Sequence, residues 1–230
     1  MRRVCVDTSV LLPGLLGYGR RNAFMFLLAY GAAHFRVETL AYEKAELAQI
    51  AADEGGKAHL ERYDELIEAA QLRIARVEEF QMVGMPDDFQ LSCSLDLLDE
   101  YVAKLVEVGP KLDPDAGLVG PQFWRVLLIA LITDYWPAHF EDLPRYVPDD
   151  PDDDKVVQTA LKTTAEWLVA DDAHIVPDAE ESTEYETPEG VRIAAARFDY
   201  YVDVVFGSFD LDQIDSSWFW SLLRPIQVSP

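Results

Sequence analysis

The sequence predicts an α/β fold, a parallel sheet flanked by helices, from three observations. Residues 3–6 are a short apolar run that stops at Asp7, as a buried strand does on reaching a sheet edge. Segments of strand length alternate with segments whose apolar residues recur at helical spacing, the signature of a parallel sheet with crossovers. Residues 149–172, DDPDDDKVVQTALKTTAEWLVADD, run from an acidic cluster through an amphipathic helix (Val156, Val157, Ala160, Leu161) into an apolar stretch, 167–170, that ends at an acidic pair. In a parallel α/β unit the start of a crossover helix and the end of the next strand share one sheet edge.

The remaining elements follow in order. Residues 11–21, LLPGLLGYGRR, hold Pro13, Gly14, Gly17 and Gly19 and read as a loop. Asn22 caps a helix over 23–33, with Phe24, Leu27 and Leu28 as its apolar stripe. Phe35, Val37 and Thr39 alternate through 34–39, which reads as a second strand, and a helix follows over 41–52. Residues 57–79 form a long charged helix, broken at 82–88 by Gly84 and Pro86. A helix over 94–108 turns Leu95, Leu98, Tyr101, Val102 and Leu105 inward, and 123–136 reads as a nearly all-apolar helix, the most buried of the set.

After a loop at 137–148 and the organising stretch, 174–176 read as a short strand and 177–188 as an acidic surface loop. The segment 191–209 suits a helix or a strand, and 217–223, with Trp218, Phe219 and Trp220, is too aromatic to be left in water. The organisation expected is a domain over 1–176 with a helical insertion at about 55–136, and an acidic, aromatic extension over 177–230 packed on it.

Bulk properties narrow the class. With 230 residues and 50% apolar content the chain can bury a substantial core. Cys5 and Cys93 lack metal-type spacing, which fits a reduced, cytoplasmic protein. Arg2 and Arg3 precede apolar residues as in a secretory signal, but Asp7, Pro13 and Gly14 interrupt the run. The most apolar run, 126–132, is far short of the roughly 20 residues a membrane span needs, so no membrane is implied. The net charge of -23 is unusual for a protein that binds phosphates. It fits a surface adapted to high salt, a basic partner protein, or a locally basic groove.

Acids brought together at one edge repel unless a cation lies among them, and hard cations such as Mg²⁺ prefer oxygen ligands. Asp7, the acidic cluster and Asp172 are placed to converge in that way, which implies a metal-dependent nuclease. Glu43 and Glu46 occupy neighbouring positions on the predicted helix over 41–52, and either could project toward Asp7. His34, His59, His139 and His174 are scattered without ligand spacing and are assigned no role. There is no Gly-rich phosphate loop and no nucleophile elbow.

VCVDTSVLL, TLAYEKAELAQI and above all DPDDDKVVQTALKTTAEWLVADDAHI resemble the PIN domain family, in particular the PIN-like toxins of toxin-antitoxin pairs. The resemblance implies a PIN-like sheet and four acids holding one or two Mg²⁺ or Mn²⁺ ions for phosphodiester hydrolysis, commonly of RNA. Carried onto this chain, the acids are Asp7, Glu46 in preference to Glu43, Asp153 from a cluster that includes Asp152 and Asp154, and Asp172. Ser9 stands where Asn is common after Asp-Thr, Ala170 where a hydroxyl residue precedes the last acid, and Asp171 where a small residue is usual. The partners implied are RNA as substrate and an antitoxin or other basic protein, and the aromatic tail offers a homodimer contact. The alternatives are a non-catalytic protein whose acidic surface binds a basic partner, and a structure-specific DNA nuclease.

Overall fold

Val4, Cys5 and Val6 have no exposed surface, because the strand they form, β1 (Arg2–Val6), lies between parallel neighbours on both sides. The computed structural model describes residues 2–214 apart from 18, 51–53, 80–85, 87, 113–116, 137–142 and 208. The neighbours of β1 are β2 (Phe89–Ser94) and β4 (Trp167–Val169), with β3 (Ile132–Trp136) beyond β2. On the other flank, β6 (Arg192–Ala196) pairs parallel with β4, and β5 (Thr183–Glu186) closes that border antiparallel. The order is β3-β2-β1-β4-β6-β5, an α/β architecture with a mostly parallel six-stranded sheet.

The helices are α1 (Thr8–Leu16), α2 (Arg20–Ile50), α3 (Glu54–Glu78), α4 (Leu95–Glu107), α5 (Gly109–Leu112), α6 (Pro121–Leu131), α7 (Pro151–Lys162) and α8 (Phe198–Val205). No helix among the described residues is long and apolar enough to cross a membrane.

Several elements differ from the sequence expectation, each for a local reason. The strand expected at 34–39 lies in the middle of α2, a single helix of 31 residues. Thr39 is accommodated there because its hydroxyl donates to the Phe35 carbonyl one turn back, at 2.9 Å. The loop expected at 11–21 is largely α1, and its Pro and Gly serve packing. A Cβ on Gly14 would come within 2.5 Å of Met25 Cγ, so glycine lets α1 and α2 approach closely. The Gly14 carbonyl then accepts from Asn22 Nδ2 at 2.7 Å.

The insertion expected to be helical holds two strands of the main sheet, β2 and β3. The predicted helix over 123–136 ends at Leu131 and continues as β3, and it is not the most buried, since Phe123, Val126 and Ile129 are 45%, 56% and 55% exposed. Residues 174–176 form no strand, 173–175 being a turn, and the acidic segment 177–188 contributes β5. The aromatic stretch 217–223 lies outside the described residues.

Candidate functional site

The parallel strands deliver their C-terminal ends to one edge, and the helices that follow begin there. Asp7 is the first residue past β1, and its amide donates to the Val169 carbonyl at 2.9 Å, so it sits where β4 ends. Only 4% exposed, it caps α1 by accepting from the Ser9 amide at 2.7 Å. Burial pushes its carboxyl above the ordinary range, the Ser9 hydroxyl and the Ser9 and Thr8 amides oppose that, and the charge of Asp172 adds to the push.

Each acid of the 150–154 cluster has a separate task. Asp150 caps α7, accepting from the amides of Asp152 at 3.0 Å and Asp153 at 3.3 Å. Asp152 pairs with Lys155 in solvent at 2.8 Å. Asp154 is buried and anchors the preceding loop, accepting from the amides of Tyr146 (2.6 Å) and Val147 (3.1 Å) and from Gln158 Nε2 (2.8 Å). Asp154→Ala leaves those donors unsatisfied and is expected to lower stability by about 3 kcal/mol, read from urea denaturation. An unchanged denaturation midpoint would show that the anchor carries no stability.

Asp153 is the member of the cluster that joins Asp7. Burial, then the charges of Asp172, Asp150 and Asp7, raise its carboxyl to about 6, with a hydrogen bond from His174 opposing. Asp172 follows β4 and accepts from the His174 amide at 2.8 Å. Its neighbour Asp171 faces elsewhere: one oxygen takes both Arg21 donors, at 2.6 and 3.2 Å, and the other accepts from the first amide of α8 at 3.1 Å. The Ser9 hydroxyl accepts from the Asp171 amide at 2.9 Å. The serine at this position thus connects the Asp7 cap to the loop carrying Asp172.

Asp7, Asp153 and Asp172 are therefore brought together, and Glu46 is not. Glu46 is exposed on α2 and accepts from Tyr42 at 2.8 Å. Arg21, which holds Asp171, is 25 residues earlier on the same helix, roughly 37 Å along its axis. Glu43 accepts from Tyr63 on α3 at 3.1 Å, likewise on the distal helix pair.

The acid near Asp7 is Glu100 on α4. Ser94 ends β2 and caps α4 through the Leu97 amide at 3.2 Å, and its hydroxyl meets Thr159 of α7 at 2.7 Å. Tyr101 donates to the Val6 carbonyl, bringing this turn of α4 to the residue before Asp7. Burial first, then the charges of Asp7 and Asp152, raise Glu100 to about 7 against the opposing Lys155 and Lys104. Its Oε2 is buried with no hydrogen-bond partner. The signal in the sequence is the serine that ends a strand and caps a helix, followed by an acid in the second turn.

His174, given no role above, has Nδ1 at 3.3 Å from Asp153, 3.6 Å from Asp172 and 3.9 Å from Asp150. Asp150, Asp153 and His174 offer ligand atoms that all lie within 4.8 Å of one another. Histidine spacing along the chain could not reveal this, because two of the three carboxylates come from the cap and first turn of α7, the nearer of them 21 residues earlier. The donors at this edge are mainly oxygens, and Glu100 Oε2 lacks a partner, features that fit a hard divalent cation.

Comparison of the chain with family models, with curated proteins and with solved structures finds no match.

Proposed function

We propose that the chain is a metal-dependent phosphodiesterase of the PIN type, an endoribonuclease that uses Mg²⁺ or Mn²⁺. The observation that carries the reading is the arrival of acids from three separate chain segments at one sheet edge: Asp7 bonds the end of β4, and His174 lies 3.3 Å from Asp153 and 3.6 Å from Asp172. The strand order β3-β2-β1-β4, with its site at the C-terminal edge, supports it further.

Asp153, Asp150 and His174, whose ligand atoms lie within 4.8 Å of one another, would hold the cation, with Asp7 and Glu100 as the neighbouring acids. When bound, the cation supplies charge neutralisation at the phosphate and acidifies water. The chain's own residues hold and orient. The Ser9 amide fixes one Asp7 oxygen and the Asp150 cap sets the first turn of α7, so Asp7 and Asp153 both come from rigid elements. Asp172, whose side chain is 41% exposed against 15% for Asp153, is the carboxylate placed to orient an attacking water.

The test is incubation of labelled single-stranded RNA, with DNA in parallel, in Mg²⁺, in Mn²⁺ and in chelator. RNA cleavage that needs a divalent ion and disappears in Asp7→Asn is the expected result. Cleavage that persists in chelator, or in Asp7→Asn, would remove the basis of the proposal, and cleavage of DNA alone would move the substrate class.

A further inference from the structure

His174 brings an imidazole nitrogen in among carboxylates, and the chain around it is firmly held. The Val176 amide donates to the Asp172 carbonyl at 2.9 Å, and the His174 amide to the Asp172 carboxylate at 2.8 Å. The Tyr185 hydroxyl donates to the Ile175 carbonyl at 2.7 Å, and Arg197 Nε to the Val176 carbonyl at 2.9 Å. Ile175 and Val176 have no exposed surface, so the turn is anchored in the core while the imidazole stands at the rim, its side chain 63% exposed.

The ring presents Nδ1 to the acids. Asp150 uses Oδ1 to accept from the amides of Asp152 and Asp153, and its other oxygen lies 3.9 Å from Nδ1. Asp153 turns Oδ2 to the same nitrogen at 3.3 Å. The ligand atoms of these three residues fall within 4.8 Å of one another. Ligands of one ion with bonds of about 2.1 Å stand roughly 3 to 4 Å apart, so the set closes on an ion with small side-chain movements. The chemistry of the donors then decides which ion. Mg²⁺ is hard and gives up water reluctantly, whereas first-row transition ions accept imidazole beside carboxylate.

We infer that His174 Nδ1 is a direct ligand and sets the ion preference of this site, Mn²⁺ over Mg²⁺. The inference rests on the metal-dependent reading above and adds to it the identity of the ion and the residue that selects it. With the protein's donors on one side of the ion, the remaining positions face solvent and are open to water and a phosphate oxygen. The competing role for His174 is that of a counter-ion to the acids, in which case a bound cation displaces the imidazole instead of taking it as a ligand.

Titration calorimetry with Mn²⁺ and with Mg²⁺, joined to electron spin-echo spectroscopy of the bound Mn²⁺, separates these roles. The wild type is expected to bind Mn²⁺ at least about tenfold more tightly than Mg²⁺, and its Mn²⁺ spectrum to carry the modulation of a directly bound imidazole nitrogen. His174→Asp exchanges that nitrogen for an oxygen at an exposed position. It should abolish the modulation and lower the ratio of Mn²⁺ to Mg²⁺ affinity by about tenfold. Mn²⁺ bound without nitrogen modulation in the wild type, or a ratio unchanged in His174→Asp, overturns the inference and leaves the metal site standing. Failure of the wild type to bind either ion overturns the metal-dependent reading, and this inference with it.

Discussion

Glu100→Gln is expected to raise the thermal midpoint of the metal-free protein while lowering its metal-dependent RNA cleavage by roughly a hundred- to a thousandfold. The two effects have one cause. Glu100 sits at about 7, above the ordinary glutamate value of 4.5, because burial and then the charge of Asp7 resist its ionisation. A carboxyl raised in this way stabilises the fold while protonated, below its unfolded value, and that contribution is lost as pH rises through about 7. At slightly alkaline pH the ionised group strains the site, and glutamine removes the charge without removing the volume. After allowance for screening at a group that water partly reaches, the gain is about 1–2 kcal/mol, a rise of about 2–6 °C for a domain of this size. The cost is the loss of a carboxylate beside the proposed cation site, an exchange of stability for function. Scanning calorimetry in chelator, beside a cleavage assay in Mn²⁺, reads both. A variant that is less stable and still active would place Glu100 outside the site.

The second large effect is the response to pH with and without metal. Asp7 is raised, Asp153 lies at about 6 and Glu100 at about 7, so all three shifts have the same sign. Without metal, stability should fall as pH rises from about 5 to about 8, since each group is protonated more readily in the fold than in the unfolded chain. Saturating Mn²⁺ should flatten or reverse that slope, because the ion binds the deprotonated site. The same linkage predicts that Mn²⁺ binding at pH near 6 expels more than one proton, measured by titration calorimetry in two buffers of different ionisation enthalpy. Heat independent of buffer, or a metal-free midpoint that climbs over this range, would contradict the grouping of the three acids.

The sequence made part of this site legible and hid the rest. Asp7 and Asp172 could be placed because a short apolar run that stops at an acid carries its own geometry: the acid is at the strand's end. Asp153 could be placed because a helix between acids and a following strand starts at the same edge. Glu46, expected beside the other acids, lies on the distal part of α2, and a single upstream misreading accounts for the difference. The alternation of Phe35, Val37 and Thr39 was read as a strand, although α2 runs through it, and an expected fourth acid on the helix after that strand then pointed to Glu46. The true second strand, FQLSCS, is buried along its whole length, and its polar Gln90, Ser92 and Ser94 disguise a central position that hydrophobic content alone would have revealed. Pro13 and Gly14 misled in the opposite direction, since close helix packing and loops call for the same small residues. The separate tasks of Asp150, Asp152, Asp153 and Asp154 could be told apart only once Lys155, Gln158, Tyr146 and His174 were in position around them.

The β5 border of the sheet is built to resist extension. Strand β5 ends it with Glu184 and Glu186 turned to solvent, while Tyr185 points inward to the Ile175 carbonyl at 2.7 Å. A row of glutamates along a border deters any further strand. Among the described residues this border therefore gives a strand from another molecule no place to add, and the sheet is expected to stop at six strands.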